Sequence, residues 1–179
     1  MINLPDFKKV LSMPQEVISG YEGKIPEELL SVWKDSGIGS FSNGYLRVIN
    51  PNDYLEILEE SYIRFEKAIP ILTTGMGDIL VWEDGYVLQL KYRKGEVEVA
   101  AGKFKFFFKN AVDDYFLEKA LDWGSYEEAI KVYGEPDFDE CFAYTPLLGL
   151  GGPEKVDNLQ KAKLKEHIYL ITQFMGKLE

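Results

Sequence analysis

One cysteine and one histidine stand in a chain of 179 residues, and each shortage removes a class of function. Cys141 has no second thiol to pair with, so no intramolecular disulfide forms and a reducing compartment is expected. His167 alone cannot build a multi-histidine zinc site, and no other cysteine completes a thiolate cluster around Cys141. A Cys141–His167 dyad is formally conceivable, but nothing local marks Cys141 as a nucleophile. No apolar run reaches the roughly 18–20 residues that a membrane-spanning helix needs. The segment from Met1 to Lys9 lacks the apolar stretch of a signal peptide, so a cytoplasmic protein without membrane contacts is expected. Positive charge is also scarce, with 20 Lys and Arg against 30 Asp and Glu and a net charge of −10. That balance argues against general nucleic-acid binding, where phosphate contacts need clustered Lys and Arg.

What is abundant is apolar residues, at 46% of the chain, enough to fill one packed interior. Pro26, followed by Glu27 and Glu28, opens a helix whose inward stripe is Leu29, Leu30 and Trp33, with Gly37 as its stop. A Gly/Ser-rich loop, residues 37–44, leads to a short strand at Tyr45–Ile49. Asn50-Pro51 starts a second helix with Leu55, Leu58 and Tyr62 on one face. The first sixty residues therefore read as mainly helical. Ile69–Thr73 and Asp78–Trp82 read as strands. Leu88, Leu90 and Tyr92 alternate with Gln89, Lys91 and Arg93, as in a sheet with one wet face. Glu83-Asp84-Gly85 and Arg93-Lys94-Gly95 are hairpin turn signals. Phe104, Phe106 and Phe108 alternate with Lys103, Lys105 and Phe107 and read as one more strand.

Beyond the sheet the pattern returns to helix at Asp113–Leu121 and Tyr126–Val132. A loop over residues 134–153 follows, and a long last helix from Asp157 to about Met175, with Gln160 at the capping-box position. The fold class is α+β: N-terminal helices, a central mainly antiparallel sheet of four to six strands, and a long C-terminal helix packed on it. No Pro/Ser/Gly linker interrupts the chain near residue 100, so residues 1–100 and 101–179 are expected to share one continuous compact core.

The most distinctive stretch runs from Asp113 to Glu140, where ten carboxylates face two lysines across 28 residues, a local charge of −8. Tyr115, Phe116, Trp123, Tyr126, Tyr133 and Phe138 are interleaved with them. Two readings fit: a surface that captures a basic protein partner, or a solvated acidic face over core aromatics. Asp137, Asp139 and Glu140 could together serve a magnesium ion, since hard cations need only oxygen ligands, although the spacing fits no calcium loop. A metal-dependent hydrolase is the enzymatic alternative. Gly149-Leu-Gly-Gly152 lacks the Lys-Ser/Thr pair of a phosphate loop and reads as a turn. Lys155, Lys161, Lys163 and Lys165 give the last helix a basic beginning, but Glu154, Asp157 and Glu166 among them make a mixed solvated face. A DNA-contacting regulatory protein is the third alternative.

Several stretches together resemble one bacterial family. They are Gly39-Ser-Phe-Ser-Asn-Gly-Tyr-Leu-Arg-Val-Ile-Asn-Pro51, Thr73-Thr-Gly-Met-Gly-Asp-Ile-Leu-Val-Trp-Glu83 and Tyr92-Arg-Lys-Gly-Glu-Val97, followed by two C-terminal ones. These are Asp139-Glu-Cys-Phe-Ala-Tyr-Thr-Pro-Leu-Leu-Gly-Leu-Gly-Gly152 and Lys163-Leu-Lys-Glu-His-Ile-Tyr-Leu-Ile-Thr-Gln173. The chain is similar to the GAD-like domain proteins whose C-terminal part protects against type VI secretion DNase effectors. The resemblance implies an antidote that binds a toxin without catalysis, and it carries over no catalytic residues and no cofactor. A nuclease must present a basic cleft to phosphates, so its inhibitor gains by presenting carboxylates to that cleft. The expected toxin-binding set is Asp113, Asp114, Glu118, Asp122, Glu127 and Glu128, with Trp123 and Tyr126 as aromatic anchors. The expected partner is a basic protein toxin, a nuclease.

Overall fold

Seven strands run as one antiparallel meander in chain order in the computed structural model, which describes residues 1–179. They are β1 (Lys8–Leu11), β2 (Ile38–Phe41), β3 (Leu46–Val48), β4 (Ala68–Thr74), β5 (Ile79–Glu83), β6 (Tyr86–Lys91) and β7 (Glu96–Ala101). Between β1 and β2 come α1 (Gln15–Tyr21) and α2 (Glu27–Asp35), and between β3 and β4 comes α3 (Leu55–Ser61). After the sheet the chain forms α4 (Phe107–Asn110), α5 (Asp114–Lys119) and α6 (Tyr126–Tyr133). A two-stranded ribbon, β8 (Glu140–Tyr144) with β9 (Leu159–Lys163), leads into α7 (Leu164–Met175).

Local chemistry explains the sharpest of these turns. Asp84 and Gly85 both take positive φ, 49° and 87°, the geometry of a two-residue hairpin that closes on the Glu83–Tyr86 pair. Ser42, Asn43 and Gly44 are left-handed in succession, and the Asp6 carboxylate accepts from the Ser42 and Asn43 N–H groups at 2.9 and 2.6 Å. At the other end of β2, a Cβ on Gly37 would lie 2.5 Å from the Leu11 carbonyl, so β1 approaches this strand closely.

The sheet is covered on both faces, and that decides where function can sit. On one face Leu46, Val48, Leu80 and Val87 pack with α1, α2 and the aromatics of residues 104–126. On the other, Ile79, Val81, Leu90 and Tyr92 pack with α3 and α7. Each cluster contains residues from both sides of residue 100: Phe142, Tyr144 and Leu159 join the first, Cys141, Leu164 and Ile168 the second.

The α+β architecture and the helix packed on the sheet match the sequence reading, and four local expectations are corrected. Gln89, Lys91 and Arg93 do not face water but are buried beneath the connection from α5 to α6. Phe104–Phe108 is helical, because Phe104, Phe107 and Phe108 stack at i, i+3 and i+4 with centroids 5.2–5.6 Å apart. The last helix starts at Leu164, since residues 159–163 are taken by pairing with β8. Residues expected to be loop or helix, at 8–11, 38–41 and 140–144, are strands.

Candidate functional site

The acidic segment forms α5, α6 and their flanks. Asp113 caps α5, accepting the Phe116 N–H at 3.1 Å, so one carboxylate has a local structural task. Asp113, Asp114, Glu118, Glu127 and Glu128 are all exposed, and Glu127 meets Lys131 one turn on at 3.1 Å. Because α5 turns Leu117 inward and half-buries Phe116, it leaves Tyr115 in water, 73% exposed. Tyr133, at the end of α6, is also exposed and donates its hydroxyl to the Val156 carbonyl at 3.2 Å.

Two members of the expected binding set lie inside, and a third is partly buried. Tyr126 has no exposed surface and Trp123 only 6%. Both pack around Tyr45, whose ring centroid is 5.1 Å from that of Tyr126 and 5.9 Å from that of Trp123. The Tyr126 hydroxyl donates to the Asn43 carbonyl at 2.8 Å. The physical reason is spacing: Trp123, Tyr126 and Ala129 recur every three residues and face the sheet together. Asp122 is withdrawn as well. It adopts φ of 49°, a conformation that aspartate tolerates better than most residues, and its Oδ2 lies 2.7 Å from Lys94 Nζ and 3.4 Å from Lys91 Nζ. Partial burial pushes its carboxyl up, but the Lys94 hydrogen bond and the charges of Arg93, Lys94 and Lys91 prevail and hold it below the ordinary range.

Beneath Asp122 the sheet carries a buried polar cluster. Asp78 is wholly buried; Gln89 Nε2 donates to its Oδ2 at 2.8 Å, and Arg93 Nη2 lies 3.3 Å from the same oxygen. Burial raises the Asp78 carboxyl, against the pull of Arg93 and the Gln89 amide. The cluster then reaches out of the sheet. Gln89 Nε2 and the Tyr45 hydroxyl both donate to the Leu121 carbonyl, at 2.8 and 2.7 Å, and Arg93 donates to the Asp122 carbonyl. These bonds fix the α5–α6 connection and with it the position of the acidic surface.

Cys141 and His167 both border Gly77, where an added Cβ would lie 3.2 Å from the thiol sulfur and 3.5 Å from the imidazole, but no hydrogen bond joins them. Burial pushes the thiol up to about 12 and the imidazole down to about 4. At neutral pH both groups are uncharged, the opposite of an activated thiolate–imidazolium pair. Nor do Asp137, Asp139 and Glu140 converge on a common point. Asp139 holds Lys163 Nζ at 2.9 Å, and Glu140 Oε2 accepts the Asp137 N–H at 3.0 Å. No group of three or more His, Cys, Asp or Glu side chains is arranged to hold a metal ion.

The lysines form no helix face either. Lys161 and Lys163 lie in β9, and Lys165 donates to the Asp53 carbonyl while sitting 4.6 Å above the Tyr54 ring. Gly149 lies against Met175, which a Cβ would approach to 2.6 Å, so the glycine-rich loop is a packed turn.

Tyr115 was missing from the expected set, although the helical period running through Leu117 and Leu121 places it outward. The Asp78–Gln89–Arg93 cluster left no signal in the alternation of β6, which looks the same whether its polar face meets water or a covering segment.

A family model for the GAD-like domain matches residues 2–94, and a model described as T6SS immunity protein Tdi1, C-terminal, matches residues 101–175. Among solved structures, the crystal structure of Atu4351 from Agrobacterium tumefaciens superposes with a TM-score of 0.74 at 19% identity, covering 95% of this chain and 86% of that one. At that identity the likeness concerns the fold. No curated protein matches the chain. With the two family matches side by side over almost all of its length, the chain belongs to the family that joins a GAD-like domain to the C-terminal domain of the type VI secretion immunity protein Tdi1.

Proposed function

We propose that this protein is the cytoplasmic antidote to a secreted basic toxin, a nuclease, which it blocks by binding through the exposed carboxylates of α5 and α6. The observation that carries the reading is the match of residues 101–175 to an immunity domain. The surface supports it: Asp113, Asp114 and Glu118 are exposed on and beside the same short helix as the exposed Tyr115, and the chain as a whole carries −10. Tyr115 takes the anchoring role that Trp123 and Tyr126, being interior, leave open. A phosphate-binding cleft must be basic, so opposed fields accelerate encounter above the unsteered ~10⁵–10⁶ M⁻¹s⁻¹, and the desolvated ring then slows dissociation. No chemical step is needed. The neutral Cys141 and His167 and the lysine-bound Asp139 and Glu140 favour a binder over a hydrolase.

The test is to co-express the chain with candidate nuclease toxins from its source genome, then to titrate a purified pair in a DNA-cleavage assay. An antidote restores growth and stops cleavage at one equivalent. Loss of toxin activity at a small fraction of an equivalent would mean turnover and would replace the binder with an enzyme.

A further inference from the structure

The two edges of the main sheet differ. β7 sets its one strongly exposed apolar residue, Val99, beside exposed Glu96 and Glu98, whereas β1 ends in two adjacent ones, Val10 and Leu11, exposed by 48% and 62%. An edge strand ending in exposed apolar residues is a template for another strand. The backbone of Lys8–Leu11 makes no hydrogen bond outside its ladder with β2, and Val10, the bulged residue, has no register partner on β2. Lysines, a common edge guard, occupy the first half of the strand: Lys8 is neutralised by Glu135 at 2.7 Å, and Lys9 makes no ion pair.

Beside this edge lies a cleft of about 770 Å³, bounded by β1, by the stretch from Ile49 to Glu56 and by the start of α7. Its charges do not cancel. Four carboxylates line it, Asp53, Glu56, Asp139 and Glu166, against two lysines, Lys163 and Lys165, so the opening is net negative. The acidic segment runs into it: from α6 the chain passes Glu135, bonded to Lys8, and reaches Phe138 and Asp139 in the cleft wall. The α5–α6 surface and the cleft are therefore joined by one band of chain.

We propose that the cleft receives an extended segment of the toxin, with basic and apolar residues alternating, which pairs with β1 and lengthens the sheet by one strand. The proposal rests on the antidote reading. Main-chain bonds to β1 supply affinity, and the side-chain alternation supplies specificity. One set of side chains covers Val10 and Leu11, and the other faces Asp53, Glu56 and Glu166.

The probe is the toxin that the co-expression assay identifies, catalytically inactivated and titrated by calorimetry against wild type, Leu11→Lys and Glu56→Lys. Each variant should bind at least about tenfold more weakly, and the amides of residues 9–11 of wild type should exchange about tenfold more slowly in the complex. The exchange measurement needs no variant, so a folding defect cannot imitate it. Wild-type binding with unaltered variants and unprotected amides overturns the cleft and leaves the antidote reading standing. No binding by wild type overturns both. A wild-type dimer in light scattering that Leu11→Lys abolishes assigns the edge to a second copy of this chain and overturns the toxin as occupant.

Discussion

Arg93 balances the interior charge of this protein. It is the buried cation beside Asp78, and it also grips the connection between α5 and α6. Arg93→Leu leaves a carboxylate with no exposed surface facing only the Gln89 amide, and the expected loss is about 3–5 kcal/mol of stability in urea unfolding. A loss below about 1 kcal/mol would show that Asp78 is already protonated in the wild type. His167 makes a second residue-level prediction. Burial lowers its imidazole from the ordinary 6.5 to about 4, so between those values the unfolded chain binds a proton that the folded chain refuses. The contribution is complete above the unfolded value and is lost as pH falls towards the folded one, by up to about 3 kcal/mol. Unfolding free energies of wild type and His167→Gln should therefore converge by about that amount between neutral pH and pH near 4.5. At this scale the site was half legible. Asp113, Asp114, Glu118, Glu127 and Glu128 are where their charge suggested, because nothing nearby neutralises enough charge to bury them. Trp123 and Tyr126 are not, because an aromatic beside carboxylates reads the same whether the helix turns it outward or inward.

Among elements, the β4–β5 connection is the point where the ribbon and the helices are seated. Gly75 accepts the Phe142 N–H at 2.7 Å and donates to the Tyr45 carbonyl at 2.7 Å, and a Cβ there would stand 2.2 Å from the Tyr126 ring. Gly75→Ala should cost about 1–3 kcal/mol or more in thermal or urea unfolding, since the ring it strikes has nowhere to move. Gly20, on the exposed side of α1, is the contrasting case. Nothing lies within 4 Å of its would-be Cβ, so Gly20→Ala should stabilise by roughly 0.5–1 kcal/mol in the same assay. These elements also mark the limit of reading from sequence. α2, β4, β5 and the Asp84-Gly85 hairpin are specified by neighbours a few residues away, and they were visible. β1 pairs with β2 across two intervening helices, and β8 pairs with β9 across a loop, so neither strand shows itself until its partner is placed. Residues 104–108 show the reverse failure: an alternating pattern was present, but three phenylalanines at helical spacing settled the conformation.

For the molecule as a whole, the excess negative charge divides into an inward and an outward share. Within residues 113–140, Asp122, Glu135, Asp139 and Glu140 are tied to Lys94, Lys8 and Lys163, and Glu127 to Lys131, which leaves Asp113, Asp114, Glu118, Glu128 and Asp137 to project a field. Replacing Asp113, Asp114 and Glu118 with lysine should slow toxin association about tenfold at low salt and flatten its salt dependence in stopped-flow measurements. Stability should fall only by the lost Asp113 cap, about 0.5–2 kcal/mol, because the other two side chains contact water. Tyr45, Gln89 and Arg93 all reach across to the backbone of Leu121 and Asp122. A lineage that acquired a new second half by recombination would therefore keep its shape only if the newcomer carried a turn of the same form at that place. Exchange of the second half is thereby restricted to partners that carry this turn, whereas substitutions on the outer face of α5 and α6 leave its bonds intact.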